Sequence, residues 1–253
     1  MASWNHEQYL KFAEERTRPA AELLARVPVE KPHRVLDLGC GPGNSTELLS
    51  DRWQFAELHG VDNSPEMLAR ARRDLPTVDF IEADLACYRP DKPVDVLFAN
   101  AVLQWLPAHE TLIPQLFQTV AEGGAFAFQV PCNFDEPSHR LLRELPGPWA
   151  QRTAAVHLRA RVGSAAFYYD LLAPHARHVD VWQTTYEHVM ADAQVIVEWL
   201  SGTALRPYLA ALSNDEREPY LAQYRAALEL AYPARADGKR LFKFPRLFVV
   251  ALR

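Results

Sequence analysis

The chain is poor in cysteine, and its few cysteines exclude two common kinds of stabilised or metal-binding protein. Cys40, Cys87 and Cys132 are an odd number among 253 residues, and they lack the close spacing of zinc ligands. This pattern argues against a disulfide framework and against a zinc site. The histidines form no pair with convincing ligand spacing beside a carboxylate, so we expect no metal.

Long apolar runs and an excess of basic residues are also missing. No segment reaches the length of a membrane span, and residues 1–18 contain no apolar core of the kind found in signal peptides. The 27 basic and 32 acidic residues give a net charge of -5, which provides no general attraction to nucleic acid. We therefore expect a cytoplasmic protein without membrane or nucleic-acid partners, and the sequence does not indicate an oligomeric state.

What the chain does contain is a regular alternation of short apolar segments with amphipathic ones. This alternation predicts an α/β fold with a Rossmann-like, doubly wound, mostly parallel seven-stranded sheet and a helical cap. Pro245 interrupts the last strand and suggests an edge or a bulge. The predicted strands are 34–38, 58–62, 78–82, 94–100, 125–130, 179–189 and 241–252, and the predicted helices are 45–49, 66–75, 112–120, 165–172, 192–200 and 213–231.

The same pattern predicts one domain over residues 1–253, with additions around the sheet. Residues 1–28 read as a helical lid made of two pieces, because Pro19 suits the first turn of a second helix. Segment 131–164 breaks the strand–helix rhythm. This segment and the mostly helical segment 192–232 are interpreted as elements of a substrate-side cap.

A glycine-rich turn follows the first predicted strand, in the sequence DLGCGPG at residues 37–43. Such a turn brings backbone close to a ligand at the start of a helix. Dinucleotide folds space these glycines as G-x-G-x-x-G, whereas here Gly43 comes one residue early. The spacing therefore disfavours a nicotinamide oxidoreductase.

Polar residues end the next strands. Asp62, 19 residues after Gly43, can accept hydrogen bonds from both hydroxyls of a ribose. Asp84 and Asn100 follow the third and fourth strands. Each also has a structural interpretation, Asp62 as a helix cap beside Ser64 and Asp84 as a surface acid. The ordered set favours a ligand at the carboxyl ends of the strands.

The glycine turn with its acidic residue resembles the first motif of class I S-adenosylmethionine-dependent methyltransferases. The resemblance implies that the turn holds the methionine part of the cofactor, that Asp84 reads the adenine amino group, and that Asn100 faces the reaction site. The cofactor-binding residues it implies are Asp37, Gly39, Cys40, Gly41, Asn44, Ser45, Asp62, Asn63, Met67, Ala83, Asp84, Leu85 and Asn100.

Further segments resemble the trans-aconitate 2-methyltransferase family, and they span nearly the whole chain. They include Trp4-Asn5, GCGPGNST at 39–46, FANA at 98–101, LQWLP at 103–107 and FPRLF at 244–248. Residues 132–164 match least. The resemblance implies transfer of a methyl group to one carboxylate of trans-aconitate, giving a monomethyl ester and S-adenosylhomocysteine.

This chemistry requires no general base, because a carboxylate is already ionised at neutral pH and needs only alignment with the methyl group. We therefore predict no catalytic side chain. A polycarboxylate does need cations, and arginine pairs with carboxylates bidentately. The predicted substrate-binding residues are Arg16, Arg18, Trp105, Tyr168, Tyr169, Arg206 and Arg246. The side chains of Tyr168 and Tyr169 point to different sides because the residues are neighbours, so we expect at least one of the two to pack in the protein interior.

Two other hypotheses remain open at this stage. The divergent segment 132–164 allows a methyltransferase that acts on another small acid or on a hydroxyl compound. The lack of an obligatory catalytic side chain allows a protein that binds S-adenosylmethionine without turnover.

Overall fold

The fold is described from a computed structural model. It describes residues 13–156 and 162–253, with only the backbone given for Ala13, Glu14 and Arg16. The first 12 residues of the predicted lid, including Trp4-Asn5, lie outside the described residues. Within the described ranges, no helix combines the length and the apolar character needed to cross a membrane.

Helices and strands alternate from Arg34 to Pro131, as predicted, except that no helix lies between the third and fourth strands. The strands are β1 (Arg34–Leu38), β2 (Glu57–Asp62), β3 (Asp79–Glu82), β4 (Val94–Asn100), β5 (Val120–Pro131), β6 (His178–Met190) and β7 (Arg240–Leu252). The helices are α1 (Ala13–Ala25), α2 (Asn44–Arg52), α3 (Pro65–Asp74), α4 (His109–Phe117), α5 (Pro137–Glu144), α6 (Ala150–Ala154), α7 (Ala165–Leu172), α8 (Ala193–Ser201), α9 (Arg206–Ala210) and α10 (Asn214–Ala231), with a 3₁₀ turn at Leu103–Trp105.

In the described part of the chain, seven strands form one sheet in the order β3-β2-β1-β4-β5-β7-β6. The pairs from β3 to β5 are parallel, and β5 pairs with β7 in the antiparallel sense. The predicted Rossmann-like, mostly parallel sheet is confirmed. The strand order reverses between β1 and β4, and open α/β sheets bind ligands outside the carboxyl ends of strands at such a reversal.

Capping residues set the starts of two helices where the sequence predicted them. The Ser64 hydroxyl accepts a hydrogen bond from the Met67 N–H, with Pro65 in the first turn of α3. Ser213 and Glu216 form a reciprocal capping box at the start of α10. Each cap satisfies backbone N–H groups that have no partner within the helix.

Two helix predictions were wrong in their boundaries. Pro19 lies inside α1 and does not begin a second helix, because the buried side chains of Ala20 and Leu23 hold the helix in place. The helix predicted over 112–120 begins at His109 and ends at Phe117. Val120 belongs to β5, where it pairs with Val94.

The last strand was predicted to be an edge or to carry a bulge, and the structure excludes the edge. β7 lies between β5 and β6. Its pairing with β5 ends at Arg246, which lies opposite Pro131. Pro245 precedes Arg246 in the chain and lies just outside this register. Its carbonyl accepts a hydrogen bond from the Cys132 N–H, at 3.0 Å. A proline is tolerated here because only its carbonyl is needed.

The chain divides into two compact units. Of the described residues, one comprises 16–131, 162–184 and 246–253, and we call it the α/β unit. The other comprises 13–15, 132–156 and 185–245, and we call it the helical unit. The predicted cap segments 131–164 and 192–232 fall largely within the helical unit. Their role as a cap stays a prediction.

Within the helical unit, tyrosine hydroxyls bind the backbone of α5. Tyr220 donates to the Leu142 carbonyl at 2.9 Å, Tyr224 donates to the Ser138 carbonyl at 2.5 Å, and the Ser138 N–H donates to Tyr232 at 3.1 Å. All three rings are buried. These hydrogen bonds fix α10 and the residue that follows it against α5.

Candidate functional site

The glycine turn after β1 lies at the reversal of strand order in the α/β unit. The N–H groups of Gly39 and Cys40 both donate to the Val61 carbonyl, at 2.7 and 3.0 Å, which ties the turn to β2. Gly39 has a φ of +74°, and a Cβ atom there would lie 2.2 Å from Val102 Cγ2. A side chain is therefore excluded by both backbone conformation and space.

Asp62 ends β2 and holds two loops in place. Its Oδ2 accepts a hydrogen bond from the Gly41 N–H at 3.0 Å, and its Oδ1 accepts one from the Ser64 N–H at 2.9 Å. The residue is only 9% exposed. Each carboxylate oxygen has two lone pairs, so both retain capacity for hydroxyl donors such as those of a ribose.

Asp37 is a buried carboxylate beneath the same turn. Its Oδ2 accepts hydrogen bonds from the hydroxyls of Ser45 and Thr46, both at 2.7 Å. Its Oδ1 is buried without a hydrogen-bond partner among the described residues. Burial raises the pKa of Asp37 to about 6; the two hydroxyls oppose this shift, and the nearby Asp62 adds to it. A buried acceptor without a donor fits a ligand that brings an N–H group.

We expect Asp37→Asn to change how stability depends on pH. The pKa of Asp37 rises from 3.8 to about 6 on folding. The folded state is therefore more stable when the Asp37 carboxyl is neutral than when it is ionised. That contribution is fully present below pH 3.8 and is lost as pH rises through 6. The free energy of unfolding of the variant, relative to the original protein, should therefore rise by up to about 3 kcal/mol between pH 4 and 7. Urea unfolding at a series of pH values measures this difference, and a difference that does not change with pH would contradict it.

The Cys40 side chain is directed into the core. It packs with Leu68, Ala71, Val78 and Phe80. Burial and then the neighbouring Asp37 and Asp62 raise the pKa of its thiol. The thiol is therefore a protonated apolar group, and a contact of Cys40 with a cofactor would be made through its backbone.

Most of the other predicted cofactor contacts follow the ends of β2 and β3. The Ala83 N–H donates to the Asp62 carbonyl at 3.0 Å. Asp84 is exposed, and its Oδ1 accepts a hydrogen bond from the Ala86 N–H at 3.0 Å. Leu85 is buried. The remaining predicted contacts have exposed or half-buried side chains and are Asn44, Asn63 and Met67.

A chain of hydrogen bonds joins the end of β4 to β7. Gln129 Nε2 donates to Asn100 Oδ1 at 2.6 Å, and the Arg246 guanidinium donates to Gln129 Oε1 at 3.1 Å. Gln129 and Arg246 are both buried. Two predicted site residues, Asn100 and Arg246, are therefore connected through a residue that the prediction did not include.

The two neighbouring tyrosines have different environments. Tyr168 is fully buried, and its hydroxyl lies 2.8 Å from His109 Nδ1 and 3.2 Å from the Gly163 N–H that donates to it. His109 Nε2 faces the Leu103 carbonyl, so it carries the proton and Nδ1 accepts from the phenol. The ring and hydroxyl of Tyr168 are used in packing, which disfavours a contact with the substrate; its assignment as a substrate contact stays a prediction. Tyr169 is 49% exposed.

Tyr168→Phe should destabilise the protein by about 1–3 kcal/mol, because it leaves His109 and the Gly163 N–H without their partner. Tyr169→Phe is the matched control on the adjacent exposed residue, and we expect a change within about 0.5 kcal/mol. Thermal and urea unfolding of both variants measure these differences. An equal effect of the two substitutions would disprove the assigned packing role.

The other predicted substrate contacts occupy separate places. Arg18 is exposed on α1 and pairs with Glu22 at 2.8 Å. Trp105 is 45% exposed in the 3₁₀ turn after β4. Arg206 is exposed at the start of α9, in the helical unit. The Arg16 side chain lies outside the described residues. In the described ranges, no three His, Cys, Asp or Glu side chains are grouped to hold a metal ion.

Sequence reasoning missed Thr46 and Gln129. Thr46 directly follows the predicted contact Ser45, and both hydroxyls donate to Asp37. The two hydroxyls reach the same carboxylate because both residues lie in the first turn of α2. Gln129 did leave a signal, because it is a polar residue in the otherwise apolar segment 125–130. Buried polar residues in such strands are normally hydrogen bonded, and their partners cannot be read from spacing.

Comparisons with known proteins agree with this geometry. A family model described as a methyltransferase domain matches residues 35–124. The protein named trans-aconitate 2-methyltransferase from Azoarcus sp. strain BH72 is 59% identical over 253 residues, covering 100% of both chains. The protein of the same name from Methylobacterium nodulans is 55% identical, covering 100% of this chain and 99% of its own.

A solved structure shares the fold at low sequence identity. The structure of coclaurine N-methyltransferase bound to N-methylheliamine and SAH is 17% identical, with a TM-score of 0.57, covering 95% of this chain and 71% of that one. The end-to-end identity with relatives that carry one common name shows that the chain belongs to the trans-aconitate 2-methyltransferase family.

Proposed function

We propose that this protein transfers the methyl group of S-adenosylmethionine to one carboxylate of trans-aconitate, producing a monomethyl ester and S-adenosylhomocysteine. The observation that carries the proposal is the 59% identity over the complete chain with a relative of that name. The α/β unit supports it by placing a glycine turn and two acidic side chains at the reversal of strand order, where ligands of open sheets bind.

The residues around the glycine turn fit the cofactor. Asp62 has lone pairs left for the ribose hydroxyls after binding two backbone N–H groups. The unpartnered Oδ1 of Asp37 suits the amino group of the methionine part, directly or through a water. Asp84 is exposed beyond β3 and suits the adenine amino group. The bound cofactor supplies a methyl group on a positively charged sulfur.

The acceptor needs little chemical help from the protein. With the cofactor bound, a carboxylate oxygen could take the methyl group directly, forming a carbon–oxygen bond while the carbon–sulfur electron pair would return to sulfur. No proton is transferred, so no side chain has to act as a base. The residues have to hold the acid, align its oxygen with the methyl group and exclude water.

The acid itself requires positive charge and hydrogen-bond donors. Arg246 is the strongest candidate, because it lies opposite the last residue of β5, beside the carboxyl ends of the parallel strands, where Asn100 also lies. Arg16, Arg18, Trp105, Tyr169 and Arg206 remain further candidates. Their assignment rests on the groups that a polycarboxylate needs. The assignments of residues 1–28 as a lid and of 131–164 and 192–232 as cap elements rest on the sequence pattern.

We also propose that the reaction takes place in the cytoplasm. Cys40 and Cys87 are free thiols in the structure, which suits a reducing compartment.

The proposal is tested by incubating the purified protein with S-adenosylmethionine labelled in its methyl group and with a panel of acids. We expect labelled trans-aconitate monomethyl ester and an equal amount of S-adenosylhomocysteine, identified by mass spectrometry. Faster esterification of another acid would identify that acid as the substrate in place of trans-aconitate. Binding of S-adenosylhomocysteine without turnover of any acid or hydroxyl compound would indicate a protein that only binds the cofactor.

A further inference from the structure

We infer that Gln129 is a positioning residue that fixes the Asn100 side chain as a hydrogen-bond donor to the carboxylate that receives the methyl group. Arg246 sets the orientation of the Gln129 amide, and Gln129 in turn sets that of Asn100. The inference rests on the proposed function. It concerns three residues of the α/β unit that lie on adjacent strands, with Asn100 opposite Gln129 in the β4–β5 register and Arg246 near the end of the β5–β7 register.

The direction of each hydrogen bond follows from Arg246. A guanidinium group only donates, so the Gln129 atom that it contacts at 3.1 Å is the amide oxygen. The Gln129 nitrogen then faces Asn100, and the Asn100 atom that accepts from it at 2.6 Å is also an oxygen. The Asn100 nitrogen is therefore directed elsewhere, and among the described residues it has no hydrogen-bond acceptor.

Gln129 also holds the backbone beside Asn100. Its carbonyl accepts a hydrogen bond from the Ala101 N–H at 3.1 Å, and Ala101 has a φ of +53°. This left-handed conformation is costly for a residue with a Cβ atom, so it has to be held by its surroundings. Gln104 contributes by donating from its side chain to the Ala101 carbonyl. Backbone and side chain of Gln129 together fix the position at which β4 ends.

The resulting polarity matches the acceptor. An ionised carboxylate only accepts hydrogen bonds, so it is favoured by an N–H donor and repelled by an amide oxygen. An Asn side chain that was free to turn could present either group. By directing the Asn100 nitrogen away from itself, Gln129 favours carboxylates, which only accept hydrogen bonds, over methyl acceptors that donate one, such as hydroxyl compounds and neutral amines.

A double-mutant cycle tests whether Gln129 acts through Asn100. Gln129→Met keeps the length of the side chain but removes both hydrogen bonds. We expect the KM for trans-aconitate to rise about tenfold, with kcat less affected and the Kd of S-adenosylhomocysteine changed less than twofold. In the Asn100→Ala background the same substitution should raise KM by a smaller factor, because only the contact of Gln129 with Arg246 is then lost. The matched control is Gln115→Met, because Gln115 also accepts from an arginine, Arg89, but at an exposed site.

Gln129→Glu provides a second variant, for which we expect a larger rise in KM than for Gln129→Met. A glutamate still accepts from Arg246 but presents oxygen to Asn100, so the Asn100 amide should turn round and donate to it. We expect a KM increase of about a hundredfold for the acid, because the site then presents an oxygen. An equal effect of Gln129→Met in both backgrounds, or no effect of Gln129→Glu on KM, would overturn the inference.

A spectroscopic measurement keeps this inference separate from the identity of the substrate. With ¹⁵N-labelled side-chain amides, we expect one Gln129 N–H to be protected from exchange with water, and its resonance to shift in Asn100→Ala. The Asn100 N–H groups should exchange rapidly in the original protein and become protected in Gln129→Glu. Protected Asn100 N–H groups in the original protein would overturn the assigned orientation. Failure of the original protein to esterify trans-aconitate would instead reject only the proposed substrate.

Discussion

Asp62→Ala is expected to raise the Kd of S-adenosylhomocysteine by at least about a hundredfold. The carboxylate is the proposed acceptor for two ribose hydroxyls, and hydrogen bonds to a charged group contribute about 1.5–3 kcal/mol each. The substitution also removes the acceptor of the Gly41 and Ser64 N–H groups, so the glycine turn loses its attachment to the end of β2. Isothermal titration calorimetry measures the change in Kd.

The design of this experiment separates loss of the ligand contact from loss of structure. Asp62→Asn retains one oxygen but no charge, and we expect an intermediate loss of affinity. Asp79→Ala is the matched control, because Asp79 is an exposed acid at the opposite end of the neighbouring strand β3. Its Kd should stay within about twofold of the original. A Kd for Asp62→Ala within threefold of the original, in a protein that still unfolds cooperatively, would remove Asp62 from the cofactor site.

The main features of the α/β unit follow from local sequence signals. The parallel strands β1 and β4 are short, mostly apolar runs, and buried strands of this kind need no long-range information to be recognised. The glycine turn could be predicted for a related reason, because Gly39, Gly41 and Gly43 all have positive φ angles, which few other residues adopt. Asp62 could be placed because it ends a strand next to that turn.

What the sequence did not reveal depends on contacts between distant segments. Tyr168 and Tyr169 are equivalent by composition, and only the packing of Tyr168 against His109 distinguishes them. Pro245 suggested an edge, but the neighbouring strand β6 comes from a segment more than 50 residues away. Gln129 acquires its role from partners 29 residues before it and 117 residues after it. Such pairings are set by the tertiary fold and leave no periodic pattern in the sequence.

Arg246→Ala is expected to raise the KM for trans-aconitate by about a hundredfold while changing the Kd of S-adenosylhomocysteine less than threefold. The arginine lies opposite Pro131, the last residue of β5. Because β4 and β5 are parallel, Asn100 at the end of β4 lies on the same side of the sheet, at the carboxyl ends of the strands. A guanidinium group in that position can bind a carboxylate with two parallel hydrogen bonds, and such charged contacts are about twice as strong as neutral ones. Steady-state kinetics with each substrate varied in turn measure the two effects separately.

A graded series of variants distinguishes substrate binding from folding at this buried position. Arg246 is only 5% exposed, so removal of its side chain risks a cavity as well as the loss of a charge. Arg246→Lys keeps the charge but lacks the planar fork, and we expect a smaller rise in KM, of about tenfold. Arg235→Ala removes an exposed arginine and should change neither constant. Equal increases in KM and in the Kd of S-adenosylhomocysteine would show damage to the α/β unit, because the cofactor residues lie in that same unit. An unchanged KM for the acid in both Arg246 variants would exclude Arg246 from the acceptor site and move the search for the carboxylate-binding cation to the other candidate arginines.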